Sequence, residues 1–335
     1  MRRFLSHVTL LTVLAVSFPG CKAPAEVLVV VSGRTMGTTY TVKCVGIGSA
    51  DLGAIVEKEL EAVNANFSTY DPQSEISRFN AHQLAEPFVV SKEFAELVAR
   101  ALAVAEATGG AFDPTIMPLV DLYGFGPMKE RRLPSDTEIE AAMTSVGWRK
   151  LKIGSDGRLH KEAPGVQLDL SAMAKGYGVD RVAAALEEAG THSYMVEIGG
   201  EVRCHGAKPG GAPWVIGIER PPSDGGDDPI IEKVRLGDDA LATSGSYRNV
   251  VVSSGSKAHH ILDPRTGKNA ESAIVSVSVR ASNCALADAL ATALMVIAPD
   301  QAASVLDAFS GEDLRVFFIL RGEEDKWLTH ELRWH

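Results

Sequence analysis

Residues 166–206 read VQLDLSAMAKGYGVDRVAAALEEAGTHSYMVEIGGEVRCHG. The apolar run at 166–170 predicts a strand that ends in a turn, and the alanine-rich run after it predicts a helix from near Ala174 to Ala189. Apolar runs on both sides of Gly199-Gly200 predict two strands joined by a tight turn. This order of strand, helix and hairpin indicates a fold that mixes helices with sheet.

The same alternation continues on both sides of this stretch, without an internal repeat or a clean interdomain linker. Towards the amino terminus, strands are predicted at 27–31 and 38–45, with a turn-prone SGR run at 32–34 between them. Apolar residues at steps of three and four predict helices over 51–67 and 91–108. We therefore expect one large α+β unit, built as one body or as two lobes.

The composition is typical of a globular chain: 335 residues, of which 45% are apolar and 23% are charged. It excludes a disordered chain, a collagen-like chain and a small disulfide-dense protein. The formal net charge of −10 argues against a duplex-DNA binder, but it leaves room for a local basic pocket that takes one nucleotide. The four cysteines form no CxxC motif, so a structural zinc site is not expected, and pairing of Cys44 with Cys204 is left open.

The first 21 residues predict a secretion signal. Two arginines precede an apolar stretch at 4–18, which is shorter than the ~20 residues that a membrane-spanning helix needs. The Gly-Cys pair that ends at Cys21 resembles a bacterial lipobox, after which Cys21 would carry lipid. We therefore expect a signal peptide at 1–21, a tether at 22–26 and a lipid-anchored domain at 27–335, outside the cytoplasm. Ordinary secretory cleavage is the second interpretation, and a retained anchor is the third.

A carboxylate and a hydroxyl share one face of the helix predicted at 285–297. Asp288 and Thr292 are four residues apart, and the stretch around them is apolar, so this helix is expected to be buried. A buried carboxylate needs a partner, and a hard cation such as Mg²⁺ would satisfy both groups. The alternative is that Asp288 pairs locally and that Thr292 bonds a backbone carbonyl one turn back.

Lys175 is predicted in the first turn of the helix that follows Asp169, where a cation opposes the helix dipole. This placement makes sense if an anion binds at the helix start, where free backbone N–H groups also favour negative charge. The glycine spacing is neither that of a P-loop nor that of a G-x-G-x-x-G fingerprint. An ordinary surface lysine at a tight turn is the alternative.

The stretch HHILDPRTG at 259–267 combines two histidines with a turn signature. Adjacent side chains of an extended segment point to opposite sides, so one histidine is expected to face a site, unless both lie on a surface turn. Loops after the first two predicted helices contribute Asp113 and Tyr70, whose ring is able to stack on a planar ligand. A Ser-His-Asp hydrolase is disfavoured because the chain has no G-x-S-x-G motif.

Eight segments stand out along the chain: RTMGTTY (34–40), FSTYDPQSEISRFN (67–80), GGAFDPTIMPLVDLYGFGP (109–127), DLSAMAKGYGVD (169–180), EIGGEVRCHG (197–206), TSGSYRN (243–249), HILDPRTG (260–267) and ADALATALMV (287–296). Together and in this order they resemble the ApbE-type FAD:protein FMN transferases, long called thiamine-biosynthesis lipoproteins. The resemblance implies an α+β fold of antiparallel-rich sheets flanked by helices.

The family's activity is the cleavage of FAD, assisted by Mg²⁺, with transfer of FMN through a phosphoester bond to a Thr or Ser of an acceptor protein and release of AMP. The resemblance implies membrane redox subunits as acceptors and no nucleic-acid partner. It implies the Ala172 carbonyl, Asp288 and Thr292 as metal ligands, and His260 and Asp288 as catalytic groups. The implied FAD contacts are Met36, Ser68, Thr69, Tyr70, Asp113 and Lys175.

Two alternatives of other classes share parts of this site. One is an FAD pyrophosphatase that releases FMN and AMP without a protein acceptor, and sequence does not separate it from the transferase. The other is a non-catalytic flavin-binding lipoprotein. The presence of Asp288, Thr292 and Lys175 together argues against it, because binding alone needs no oxygen-only metal site beside the phosphates.

Overall fold

A computed structural model describes residues 27–83, 86–127, 131–222, 228–247, 250–253, 256–270, 272–323 and 326–334. The predicted signal peptide, Cys21 and the tether at 22–26 lie outside the described residues. Among the residues that are described, no helix combines the length and the apolar character that crossing a bilayer requires.

One sheet of eight strands organises the structure, and each neighbouring pair of strands in it is antiparallel. The strands are β1 (Leu28–Thr35), β2 (Thr38–Val45), β3 (Leu151–Ile153), β4 (Leu159–Lys161), β5 (Tyr194–Ile198), β6 (Glu201–His205), β7 (Trp214–Glu219), β8 (Ile230–Leu236), β9 (Ala240–Gly245), β10 (Val250–Ser253), β11 (Ser256–His259), β12 (Leu262–Asp263), β13 (Lys268–Asn269), β14 (Ile274–Ala281), β15 (Arg315–Arg321) and β16 (Trp327–Leu332). The order across the sheet is β1-β2-β5-β6-β9-β14-β15-β16, and β3-β4, β7-β8, β10-β11 and β12-β13 form separate ribbons.

The helices pack around this sheet and confirm the α+β class with an antiparallel-rich sheet. They are α1 (Ser49–Phe67), α2 (Glu75–Ala81), α3 (Lys92–Ala107), α4 (Met117–Leu122), α5 (Asp136–Met143), α6 (Ser171–Glu188), α7 (Cys284–Leu294) and α8 (Ala302–Asp307). α7 packs against α6 and lies on β9 and β14. These contacts place the helix that carries Asp288 and Thr292 in the middle of the fold.

The first hairpin turns later than the SGR run at 32–34, where the sequence predicts the turn. β1 continues through that run, and the turn is made by Met36 and Gly37, whose φ angles are +47° and +74°. A two-residue hairpin turn of this kind requires positive φ at both positions. Gly33 serves the strand instead: a Cβ there would lie 2.6 Å from the Tyr40 hydroxyl, so its absence makes room for the Tyr40 ring.

The segment at 166–170 is not the strand that the sequence predicts, and within it Gln167 alone forms a bridge, parallel to Ile116. The Asn80 side chain substitutes for a neighbouring strand, since its amide donates to the Leu168 carbonyl at 2.8 Å and accepts from the Leu168 N–H at 2.7 Å. α6 then begins at Ser171 rather than near Ala174. The Asp169 carboxylate explains the earlier start, because it accepts from the Ser171 N–H at 2.8 Å.

The two faces of the sheet are covered differently. Cys44 lies in the apolar cluster under α1 and α6, whereas Cys204 lies in the cluster that Trp214 of the β7-β8 ribbon completes on the opposite face. Both thiols are buried and free. The pairing that the sequence leaves open therefore does not form in this structure.

Candidate active site

The site is built at the end of the sheet where two hairpins turn. The Met36-Gly37 turn lies beside the Gly199-Gly200 turn, because β2 pairs with β5 and the Gly199 N–H donates to the Thr39 carbonyl at 3.0 Å. Gly199 and Gly200 have φ of +64° and +106°, which residues with a Cβ rarely adopt. This tight turn brings Glu201, the first residue of β6, to the end of the sheet.

Helices α6 and α7 hold each other through reciprocal hydrogen bonds. Asp180 of α6 accepts the N–H groups of Cys284 and Ala285, which open α7, each at 2.9 Å. In return, Asp288 of α7 accepts the Gly176 N–H of α6 at 3.1 Å. A Cβ at Gly176 would lie 2.3 Å from the Cys284 carbonyl oxygen, so this close approach requires glycine. Asp288 is therefore fixed against the first turns of α6.

Lys175 lies between two buried carboxylates. Its Nζ is 3.1 Å from Glu201 Oε1 and 3.4 Å from both carboxylate oxygens of Asp288. Glu201 and Asp288 are only 3% and 2% exposed. Burial alone would lower the pKa of Lys175, but the charges on Asp288 and Glu201 raise it above its usual range. Burial raises the pKa of Glu201 to about 7; Lys175 opposes this shift and Asp288 adds to it.

Several oxygen atoms near Asp288 are suited to a hard metal ion. The Ala172 carbonyl lies in the first turn of α6, and a carbonyl oxygen has two lone pairs, so it is able to accept a cation beside a helical hydrogen bond. Thr292 lies one turn further along α7, with its hydroxyl 3.0 Å from that of Ser244. The described part of the chain holds no group of three or more His, Cys, Asp or Glu side chains suited to a metal. The available carboxylate, hydroxyl and carbonyl oxygens fit Mg²⁺.

The anion site expected at the start of α6 depends on a side chain more than on the backbone. The Asp169 carboxylate accepts the Ser171 N–H. The N–H groups of Met173 and Ala174 donate to the Leu170 carbonyl at 2.9 and 2.8 Å. The Lys175 side chain is 28% exposed, so its ammonium remains within reach of a ligand that enters from solvent. A phosphate group at this position would therefore meet Lys175 first.

Met36 occupies the same end of the sheet in a strained backbone conformation. Its φ of +47° is uncommon for a residue other than glycine. The side chain packs onto α6, where a Cβ at Gly178 would lie 2.8 Å from the Met36 methyl carbon. Strain of this kind costs on the order of 1–3 kcal/mol. The flavin contact of Met36 stays a prediction.

Three residues on loops, Tyr70, Phe125 and His260, form a rim in which Phe125 contacts the other two. The Tyr70 hydroxyl donates to the Phe125 carbonyl at 3.2 Å, and the Phe125 ring meets the His260 ring edge-on, with ring centres 6.4 Å apart. Tyr70 is 61% exposed. Partial burial of its hydroxyl and the charges on Asp169 and Asp121 raise the Tyr70 pKa.

Side-chain hydroxyls hold the Ser68-Thr69 step that precedes Tyr70. The Ser68 carbonyl accepts from the hydroxyls of Ser74 and Ser77 at 2.7 and 3.3 Å, and the Thr69 carbonyl accepts from Ser77 at 3.5 Å. The backbone of this step is therefore fixed at the point where α1 ends. The flavin contacts of Ser68 and Thr69 stay predictions.

Asp113 lies next to the site, but both oxygens of its carboxylate already have donors. Oδ1 accepts from the Thr115 N–H and hydroxyl at 2.8 and 2.6 Å, and Oδ2 accepts from the Trp148 N–H at 2.8 Å. Burial raises the Asp113 pKa against the effect of these bonds. The Pro114 carbonyl accepts the Asp169 N–H at 2.8 Å, which attaches this loop to the start of α6. The Asp113 carboxylate thus holds Thr115 and the Trp148 backbone, and its contact with FAD stays a prediction.

Four residues lie within the segments that resemble the family, but none of them was predicted as a residue of this site. Glu201 carries a signal in retrospect, because a charged residue directly after a Gly-Gly turn lies at the end of a sheet. Asp180 carries a weaker one, since it lies four residues after Gly176 on the same helix face. Ser244 and Phe125 have no local pattern that marks them, and only the packing of distant segments brings them to the site.

Comparison with known proteins agrees with this geometry. The model of the ApbE family matches residues 36–318. The chain is 42% identical to the FAD:protein FMN transferase of Vibrio cholerae over 313 residues, which cover 92% of this chain and 91% of that protein. It is 37% identical to the FAD:protein FMN transferase of Haemophilus influenzae, with 96% of this chain and 94% of that protein covered.

Solved structures give the same result. The flavin transferase ApbE from Vibrio cholerae superposes with a TM-score of 0.82 at 40% identity, over 91% of this chain and 97% of that one. The Pseudomonas stutzeri flavinyl transferase ApbE in its apo form gives a TM-score of 0.82 at 35% identity, over 92% and 96%. Fold, sequence and motif order therefore agree over most of the length, and this chain belongs to the ApbE family.

Proposed function

We propose that this protein is an FAD:protein FMN transferase. In the reaction, a Thr or Ser hydroxyl oxygen of an acceptor protein bonds to the FMN phosphorus, the pyrophosphate bond of FAD breaks, and AMP leaves. The observation that carries the proposal is the Lys175 ammonium held between the buried carboxylates of Asp288 and Glu201. A preorganised positive charge suits the pyrophosphate of FAD. The relatives reported above bear the name of this activity.

Lys175 is proposed to contact the pyrophosphate. Its ammonium is the charge that α6 presents at this end of the sheet, and its side chain is partly open to solvent. A preorganised cation stabilises the charge that develops on phosphate oxygens as the bond to AMP breaks. The carboxylates of Glu201 and Asp288 hold this ammonium at the end of the sheet before substrate arrives.

The Ala172 carbonyl, the Asp288 carboxylate and the Thr292 hydroxyl are proposed to hold Mg²⁺. The chain's part is to orient these oxygens: the Gly176 N–H fixes one oxygen of Asp288, and Ser244 fixes the Thr292 hydroxyl. When bound, Mg²⁺ supplies positive charge to the pyrophosphate oxygens.

His260 is proposed to take the proton from the attacking hydroxyl. A histidine titrates near neutral pH, so it accepts and returns a proton under ordinary conditions. Its ring packs against Phe125 in the rim that also carries Tyr70, which supports a place near the ring systems of FAD. Tyr70 is proposed to stack on one of those rings, since its face is exposed.

The place of action follows from the amino-terminal sequence. We propose an extracytoplasmic, periplasmic enzyme that Cys21 anchors to a bacterial membrane through lipid, with flavoprotein subunits of membrane redox complexes as acceptors. The basic start, the apolar stretch at 4–18 and the Gly-Cys pair support this location. Replacing Cys21 with Ser and following the protein between membrane and soluble fractions tests the anchor. Release of the variant supports it, and unchanged membrane retention contradicts it.

The activity is tested with the protein, FAD, Mg²⁺ and a candidate acceptor domain. The mixture is run on a denaturing gel, flavin fluorescence is read on the acceptor band, and AMP is measured in parallel. We expect a fluorescent band that requires Mg²⁺ and the acceptor threonine. A matched acceptor in which Val replaces that Thr controls for non-covalent flavin.

The other outcomes distinguish the alternative functions. AMP and free FMN at the same rate with and without acceptor would show an FAD pyrophosphatase. Bound FAD that stays intact in Mg²⁺ with a panel of acceptors would show a flavin-binding protein. Either result contradicts the transferase proposal.

A further inference from the structure

The Lys175 ammonium is shared between two carboxylates rather than committed to one. Charge-assisted N–O contacts are usually about 2.7–2.9 Å long. The contact with Glu201 is close to that range at 3.1 Å, whereas both contacts with Asp288 are longer, at 3.4 Å. Lys175 is therefore held at a shorter distance by Glu201, whereas Asp288 offers two longer contacts.

One oxygen of Glu201 is an open acceptor. Oε2 is buried and has no hydrogen-bond partner within the part of the chain that the structure describes. The Glu201 side chain is only 4% exposed, so water does not replace the missing donor freely. A buried carboxylate oxygen without a donor is unfavourable. Glu201 thus has the capacity for a second contact with a cation.

The proposed metal site requires a change at Asp288. A divalent cation and an ammonium repel each other, and both need the same carboxylate oxygens of Asp288. The Gly176 N–H already holds one of these oxygens. Metal binding at Asp288 therefore requires that the Lys175 ammonium move away from this carboxylate. The open oxygen of Glu201 is the acceptor placed to receive it.

We propose that Glu201 is a positioning residue that takes over the Lys175 ammonium from Asp288 when a divalent cation binds. Without metal, the ammonium balances Asp288. With metal, it contacts both oxygens of Glu201 and stays beside the site, where the pyrophosphate enters. This inference rests on the metal ligands of the proposed function. It makes Lys175 the counter-charge of Asp288 in the metal-free protein as well as a contact of the substrate.

The test is a double-mutant cycle on metal affinity. Binding of Mn²⁺ alone is followed by loss of the electron paramagnetic resonance signal of free Mn²⁺, for the parent, Glu201→Gln, Lys175→Met and the double variant. In the parent background, Glu201→Gln leaves Lys175 with Asp288 as its sole partner, so Mn²⁺ affinity is expected to fall about tenfold. In the Lys175→Met background the same change is expected to cost about threefold or less, because no ammonium competes.

Equal losses in both backgrounds would overturn the proposal, since Glu201 would then act only through its own charge. The matched control is Glu59→Gln, which also removes a buried carboxylate paired with a cation of α6, here Arg181. Its Mn²⁺ affinity is expected to equal that of the parent. Thermal unfolding of each metal-free variant confirms that the protein is folded.

Asp288→Asn separates failure of this inference from failure of the proposed metal site. Retained Mn²⁺ affinity in that variant would overturn both. Lost affinity together with an additive cycle would overturn the inference alone. A crystal structure with Mn²⁺ gives a direct readout: Lys175 Nζ is expected within hydrogen-bond distance of both Glu201 oxygens. An ammonium that still contacts Asp288 beside the bound metal contradicts the proposal.

Discussion

The α6–α7 contact and the rim of loops around Tyr70 and His260 are built in opposite ways. In the contact, Asp180 and Asp288 accept backbone N–H groups of the opposite helix. In the rim, Tyr70 is 61% exposed and reaches His260 only through the Phe125 loop. The difference teaches that fixed charges lie on packed helices, whereas ring contacts lie on loops. A pyrophosphate needs preorganised charge, while flavin and acceptor must enter and leave.

The largest effect on the rate of FMN transfer is expected from a substitution in the α6–α7 contact. Asp288→Ala removes the carboxylate to which both Lys175 and the proposed metal bind, so transfer is expected to fall about 10³-fold or more. The rate of flavin fluorescence appearing on the acceptor measures it. Asp313→Ala, which removes an exposed carboxylate paired with Arg315, is the control and should leave transfer unchanged. Near-parent transfer by Asp288→Ala would rule out the metal assignment.

A substitution at His260 in the rim is expected to lower the rate of FMN transfer without weakening FAD binding. His260→Ala removes the proposed base, so transfer is expected to slow by about 10²-fold while FAD affinity stays close to that of the parent. Transfer rates and FAD titrations by flavin fluorescence separate the two quantities. A loss of FAD affinity as large as the loss of rate would make His260 a flavin contact instead.

The free energy of unfolding is expected to change mainly when a residue of the α6–α7 contact is replaced. Asp180→Asn weakens two bonds to the start of α7 and the ion pair with Arg203 at 3.0 Å. We expect the free energy of unfolding to fall by about 2 kcal/mol, measured by urea denaturation. Glu187→Gln is the matched change, because Glu187 pairs with the same Arg203 at 3.6 Å but is 44% exposed. It should cost about 0–1 kcal/mol. Equal losses would contradict the contrast between the two regions.

The smallest effect is expected at the exposed end of the rim. Tyr70→Ala removes a ring proposed to stack on FAD, so the KM for FAD is expected to rise about fivefold with little change in kcat. Tyr70→Phe keeps the ring and loses only the bond to the Phe125 carbonyl, so its KM should stay near that of the parent. A KM that responds equally to both variants would show that the hydroxyl, not the ring, is the contact.

Periodic segments were predictable from the sequence because burial imposes their pattern. The helices α1, α3 and α6 and the hairpin around Gly199-Gly200 follow from apolar spacing and turn residues. The shared face of Asp288 and Thr292 follows from their spacing on one helix. The resemblance to a family then joined segments that no local rule connects.

What the sequence did not predict depends on contacts between distant segments. The turn at Met36-Gly37 was misplaced because Gly33, which looks like a turn residue, packs under the Tyr40 ring. The segment at 166–170 resembles a strand, but the Asn80 side chain satisfies the Leu168 backbone, and the only bridge of the segment joins Gln167 to Ile116. Glu201 meets Lys175 only because the β5-β6 hairpin turns where α6 begins.

The most direct test of the account is mass spectrometry of the acceptor after incubation with the protein, FAD and Mg²⁺. The account predicts one FMN in phosphoester linkage on a Thr or Ser peptide, absent when chelator removes Mg²⁺ and absent with Asp288→Asn. FMN addition by Asp288→Asn at the parent rate would contradict the assignment of the α6–α7 contact as the catalytic centre.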